Sequence, residues 1–149
     1  MTDFAREAVA DVLEEIKPLL EMHWREIAHY QDIDLNPDWD WYLKFPGVRV
    51  FTARRDGVLI GYAVFFVGPN RHYRQSIQAM QDILFLHPDY RGTTIGPRLV
   101  WYSDMQLKAE GVQAVYHHVK VAHDFGPLLK RFGYELVDAV WAKRLDRSE

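Results

Sequence analysis

Six consecutive residues, Arg91-Gly92-Thr93-Thr94-Ile95-Gly96, bring together groups that bind an anion. Gly92 and Gly96 let a charged oxygen approach the backbone, because no Cβ stands in the way. Thr93 and Thr94 add hydroxyl donors, and Arg91 adds a charged fork. Where such a turn joins a strand to a helix, unpaired N–H groups and the positive end of the helix dipole converge on one spot. The spacing alone does not decide, since two glycines between strand and helix also make a tight connection. No Gly-Lys-Ser/Thr follows, so the turn is not a Walker A loop. It comes late in the chain without a paired βαβ context, so it is not a dinucleotide fingerprint.

Other residue types could also do chemistry. His117-His118, with His123 or His72, invites a metal reading. Adjacent strand residues point to opposite faces, so the pair cannot easily share one ion, and no metal site is expected. The chain has no cysteine, hence no disulfide, thiolate ligand or cysteine nucleophile. Arg71-His72-Tyr73-Arg74 forms a basic loop that is solvated by default.

The elements around the turn follow from periodicity. Val9, Val12, Leu13, Ile16, Leu20, Trp24 and Ile27 recur at helical spacing within residues 4–29. Pro18 implies two helices or a kink. Residues 31–46 read as loop or short helix. Residues 48–53 and 58–67 form a hairpin about Asp56-Gly57, and the apolar return strand implies burial on both faces. A further strand covers about 76–86, and the turn at 87–92 leads to a helix from about Ile95 that ends before Gly111. Pro97 falls in its first turn, where a missing N–H costs nothing. A strand at 112–121, a short helix at about 125–131 and a closing strand at 134–145 complete the order ααβββαβαβ. The expectation is one domain over 1–149 of mixed α/β (α+β) class, a sheet flanked by helices.

Composition bounds the rest. At 149 residues and 48% hydrophobic, the chain suits one core. No run is long enough to span a bilayer, and the start lacks a signal peptide's basic and apolar regions. A soluble, cytoplasmic protein is expected. The net charge of −3 is uneven. Residues 1–40 carry three basic side chains against eleven carboxylates, and the remainder fifteen against ten. A basic second half suits an anionic ligand, and an acidic first segment attracts a cationic one. A pI of 6.1 without a continuous basic stripe argues against nucleic acid.

The run Ile83-Leu84-Phe85-Leu86-His87-Pro88-Asp89-Tyr90-Arg91-Gly92-Thr93-Thr94-Ile95-Gly96 resembles the strand, His/Pro turn and Arg/Gln-x-x-Gly-x-Gly/Ala motif of the GCN5-related N-acetyltransferase (GNAT) superfamily. Leu99, Val100, Tyr102 and Leu107 of the next helix, Gly111, and Leu128 to Tyr134 continue the match, as does Gly61-Tyr62-Ala63-Val64. The likeness covers about 48–145, and within the family it is nearest to small phage-encoded members.

The resemblance implies a mostly antiparallel sheet splayed at the cofactor site and acetyl-coenzyme A as cosubstrate. The backbone of Leu84, Phe85 and Leu86 would hold the pantetheine arm and thioester, and Arg91, Gly92, Thr93, Thr94, Ile95 and Gly96 the pyrophosphate. An acetyl group would pass to a primary amine of a small molecule or protein by direct attack on the thioester. Acetyl-coenzyme A and the amine acceptor are the expected partners, a homodimer is left open, and neither nucleic acid nor membrane is expected.

This sequence departs from the family pattern in three places. Thr94 replaces the motif's middle glycine. There is no room before Phe4 for the usual first strand, which is missing or displaced. Leu129 stands where the family has its general-acid tyrosine. Asp82 is the candidate base, at a position often acidic in the family, or else an ion-paired surface carboxylate. Tyr116, His118 and His123 are candidates to replace the acid, and each equally fits a structural role. A thiolate with a solution pKa of about 8.5 tolerates loss of the acid. Trp24, Trp39, Trp41 and Tyr42 could wall an acceptor pocket or simply pack on the sheet. The alternative is a degenerate module that binds coenzyme A without turnover.

Overall fold

The computed structural model describes residues 1–147. Five strands lie side by side in chain order: β1 (Thr2–Glu7), β2 (Val48–Arg55), β3 (Val58–Pro69), β4 (Ile77–Leu86) and β5 (Ala114–Tyr116). Neighbours from β1 to β4 are antiparallel, and β5 runs parallel to β4. Helices α1 (Val9–Ile27) and α2 (Trp39–Lys44) precede β2, α3 (Ile95–Ala109) joins β4 to β5, and α4 (Gly126–Arg131) follows β5. The mixed, mostly antiparallel sheet flanked by helices is as the sequence implied.

Alternation along the strands builds two cores. Val50, Tyr62, Val64, Ile83 and Phe85 meet Val12, Ile16 and Leu19 of α1 on one face. Phe51, Ala63, Phe65 and Ala79 meet Leu99 and Leu107 of α3 on the other. The return strand β3 is buried on both sides, as its apolar run predicted. The hairpin turn puts Asp56 at φ 50° and Gly57 at φ 82°, the pair of positive values that an Asp-Gly turn accommodates.

Four expectations are corrected. The first strand is present: Thr2–Glu7 pairs with β2 from Thr2↔Arg55 to Glu7↔Val50. Its single large apolar residue, Phe4, made it read as the start of a helix. Arg54 ties it down, bonding Glu7 and Glu15 and so joining β1, β2 and α1. Second, α1 runs unbroken through Pro18. Pro18 is exposed, and the Glu14 carbonyl that loses its helical donor lies on the same wet side.

Third, β5 is three residues long rather than ten. Fourth, no strand closes the chain: among the described residues, 134–147 join no sheet. Both shortfalls have tertiary causes. Pairing of β5 with β4 ends at Met80↔Tyr116, and the final segment has no partner strand among the described residues. Among the described residues no helix is long and apolar enough to cross a membrane.

Candidate active site

The parting of β4 from β5 is the feature that makes a site. β5 pairs with β4 only from Gln78↔Ala114 to Met80↔Tyr116. On the other side of β4, Phe65 is opposite Gln81 but Val64 is opposite Ile83, so Asp82 is the extra residue of a β-bulge. A bulge bends its strand and ends regular pairing. The buried Gln81 then bridges the widening gap, its side-chain oxygen accepting from the His118 N–H at 2.8 Å. Beyond that bond, residues 83–86 have a strand on one side only.

The open edge presents specific backbone groups. His87 N–H donates to the Ile60 carbonyl of β3 at 2.7 Å. Alternation then turns the Phe85 backbone toward β3 as well, and those of Leu84 and Leu86 toward the gap. Two contacts agree. The Leu86 carbonyl accepts from Arg91 Nε at 2.9 Å, and a Cβ on Gly61 of β3 would lie 3.0 Å from the Phe85 carbonyl oxygen. Of the implied backbone set, Leu84 and Leu86 thus face the gap and Phe85 faces β3. Phe85 contributes its ring, buried against His23 with centroids 5.1 Å apart.

At the end of the gap a single 3-10 turn, Pro88–Tyr90, leads into Arg91–Gly96. Gly92 has φ 78°, and a Cβ there would meet nothing within 4 Å, so the backbone lies open to a ligand. The N–H groups of Gly92, Thr93, Thr94 and Gly96 have no partner among the described residues, whereas Ile95 N–H reaches Thr93 Oγ1 at 3.3 Å. Unpaired donors at the start of a 15-residue helix suit a phosphate.

Two side chains expected to help do other work. The Thr93 hydroxyl donates to the Tyr90 carbonyl at 2.5 Å. Arg91 makes a two-pronged bond to Glu26 of α1 at 2.8 and 2.9 Å and lies over the Phe85 ring. Its guanidinium holds the Glu26 carboxyl below its usual pKa. Arg91 thus pins the phosphate turn to α1 with its charge largely matched. Arg98, in the first turn of α3, is exposed and lies over Phe4 at 4.8 Å.

Asp82, pushed out by the bulge, accepts a 2.5 Å bond from Tyr42 Oη of α2. Burial pushes the carboxyl above its usual pKa, partly offset by the Tyr42 bond and the field of His118. Burial and the carboxylate raise Tyr42 well above an ordinary phenol. Tyr42, Trp39 and Trp41, the expected pocket wall, cluster with Phe45 and Phe66. No sequence signal linked Tyr42 to Asp82, because the contact spans forty positions.

Of the remaining candidates, Tyr116 ends β5 opposite Met80, and His118 Nε2 lies 2.9 Å from Met80 Sδ. His123 lies in the loop beyond, where its field reaches His23 and Glu26. Leu129, in α4, is buried at 6% exposure and brings no titratable group. Tyr134, the nearest later phenol, is held by Asp104 at 2.6 Å. His117 faces Phe65, Phe125 and Tyr134, both ring nitrogens buried without a hydrogen bond, and burial lowers its pKa to about 4.

The family model for the acetyltransferase (GNAT) family matches residues 11–134. No curated protein matches. Among solved structures, the ribosomal-protein-alanine N-acetyltransferase of Brucella melitensis biovar Abortus 2308 is 19% identical, with a TM-score of 0.73 over 97% of this chain and 99% of that one. The aminoglycoside N-acetyltransferase AAC(6')-Iy, in complex with CoA, is 19% identical, with a TM-score of 0.72 over 97% and 94%. A predicted acetyltransferase of Clostridium acetobutylicum, with acetyl-CoA, is 13% identical, with a TM-score of 0.70 over 97% of each chain. At these identities the likeness is one of fold. The nearness to phage-encoded members finds no support among these structures.

Proposed function

The chain belongs to the acetyltransferase (GNAT) family, and we propose that it moves an acetyl group from acetyl-coenzyme A to a primary amine of a small molecule or protein. The observation that carries this reading is the gap between β4 and β5, edged by the Leu84 and Leu86 backbone and ended by the open N–H groups of Gly92 to Gly96. These residues fit the cosubstrate: an extended amide-containing arm can pair with a strand edge, and a pyrophosphate with a helix start. When bound, acetyl-coenzyme A supplies an activated thioester.

The chain's own groups supply the rest. The gap-facing N–H groups of Leu84 and Leu86 are donors for the oxygen on which charge develops. Asp82 accepts the amine proton, directly or through a water, from a point two residues, about 7 Å, up the strand from Leu84. Tyr42 holds that carboxylate in place. With Leu129 buried, the departing thiolate takes its proton from solvent or from His118, Tyr116 or His123. Acidic residues at the first helices favour a cationic amine, and we place the reaction in the cytoplasm.

Release of free thiol from acetyl-coenzyme A across a panel of amines tests the reading. Asp82→Asn is expected to lower kcat/KM by about 10²- to 10⁴-fold. No shift in melting temperature at millimolar acetyl-coenzyme A would count against the binding step itself. The buried Leu129 favours a second reading, a module that binds coenzyme A without turnover. Binding without thiol release for any amine would select it.

A further inference from the structure

Asp82 has different surroundings on its two sides along β4. Leu84, at the gap, lies two residues one way, and Met80 lies two residues the other way. Register sets a row of side chains across the sheet at Met80. Val48 of β2 is opposite Phe66 of β3, Phe66 is opposite Met80, and Met80 is beside Tyr116 of β5. Paired residues point to one face, and Val48 and Phe66 pack on the α1 core, so the row belongs to the face that α1 and α2 cover. The alternate residues Ala79 and Val115 pack on the α3 core, as that placement requires.

The cover is incomplete. Trp41 of α2 stands edge to face with Phe66, centroids 5.2 Å apart, and stacks on Phe45 at 4.8 Å. Beyond it the row is open: Trp41, Met80 and Tyr116 are 42%, 41% and 37% exposed. Large apolar side chains left open in one row mark a binding surface. Its charge is equally specific. Strands β3, β4 and β5 carry one carboxylate between them, Asp82, held by Tyr42 of the same helix as Trp41. The other polar group at the row is the His118 ring, against Met80 Sδ.

We propose that this row selects the acceptor, and that the acceptor is a small arylalkylamine: one primary amine carried by about two methylenes on an aromatic ring. With its ammonium at Asp82, the ring reaches Met80, about 7 Å along the strand, between Trp41 and Tyr116. There it meets a thioether and ring edges, both favourable partners for an aromatic face. A second ammonium or a set of hydroxyls would lose water against Met80 and Trp41, with no further carboxylate to replace it. Trp41 and Met80 are thus specificity-determining residues. The fate of the amine rests on the acetyl-transfer reading, whereas its binding does not. In that transfer an N–C bond forms and the thioester C–S bond breaks, while one ammonium proton goes to Asp82 and one to the departing sulfur.

Isothermal titration calorimetry on the full chain, with millimolar coenzyme A present, compares phenethylamine with n-propylamine and spermidine. Phenethylamine is expected to bind about 10- to 100-fold tighter than either, the size that removing one aromatic ring from water supplies. Trp41→Ala alters an exposed side chain and should bring that preference close to unity, whereas Trp41→Phe should keep most of it. Circular dichroism of both variants checks that they fold. Thiol release from acetyl-coenzyme A with the same amines separates the two readings. Selective phenethylamine binding without thiol release would uphold the aromatic site and overturn the transfer. Equal affinity for the three amines, or a preference for spermidine, would overturn the proposal. So would a phenethylamine preference that a folded Trp41→Ala retains.

Discussion

Tyr42 Oη and Asp82 Oδ2 are 2.5 Å apart, and the bond ties the short helix α2 to the one residue that β4 bulges outward. The carboxylate is thereby aimed and held at the point where β4 leaves β5. Burial raises its pKa while the phenol and, to a lesser extent, the field of His118 lower it, so its proton affinity is a balance of opposed effects.

That balance gives a pH prediction. Tyr42→Phe removes the larger of the contributions that lower the Asp82 pKa and leaves the burial that raises it. The base is then ionised only at higher pH, and the acid limb of kcat/KM against pH should move upward by about one unit, since a bond to a charged group contributes about 1.5–3 kcal/mol. A pH–rate profile that keeps its acid limb would show that Asp82 is not the titrating base.

Arg91 is predicted to act as a strut more than as a phosphate ligand. Arg91→Ala leaves the half-buried Glu26 without its partner and should cost roughly 1–3 kcal/mol of stability. Glu26→Ala/Arg91→Ala should cost less than the two single changes together, as expected of groups in direct contact. A weaker coenzyme A affinity with an unchanged thermal transition would instead make the guanidinium a ligand.

Gly92 takes φ 78° with empty space around the missing side chain. Gly92→Ala should therefore be a conformational penalty rather than a clash, about 1 kcal/mol in thermal or denaturant unfolding. Because the same backbone faces the ligand, KM for acetyl-coenzyme A should rise. A loss well above that size would mean that the turn packs against the protein more closely than it does here.

His23 is buried, as are both ring nitrogens of His117, and desolvation lowers both pKa values to about 4. The unfolded chain, with histidines near pKa ~6.5, binds more protons than the folded one between that pH and about 4. Stability should fall as pH drops through this window, by up to roughly 3 kcal/mol for each histidine. The raised carboxyls of Asp82 and Asp104 act in the opposite sense, so variants isolate the effect. His117→Phe, which keeps a ring among Phe65, Phe125 and Tyr134, should flatten the dependence of chemical-denaturation midpoint on pH.

Local patterns determined much of this protein. The Asp-Gly hairpin, the apolar run of β3, the strand ending at Leu86 and the helix starting at Ile95 follow from spacing and turn chemistry, as does the motif that placed the chain in its family. The signal failed where the deciding contact was distant. Thr2–Glu7 is a strand because β2 lies beside it and Arg54 reaches Glu7, neither of which six residues with one large apolar side chain can announce. Pro18 is tolerated because its side of α1 is wet, a fact about packing and not about proline. The chemistry-bearing residues Asp82, Arg91 and Leu84 to Leu86 were legible as types at positions. Only the tertiary structure decided that the bulge aims Asp82 at Tyr42, that Arg91 faces Glu26, and that Leu84 and Leu86 turn their backbones to the gap while Phe85 does not. Residue type sets what a group can do; the neighbours brought to it by the fold set which of those things is left for it to do.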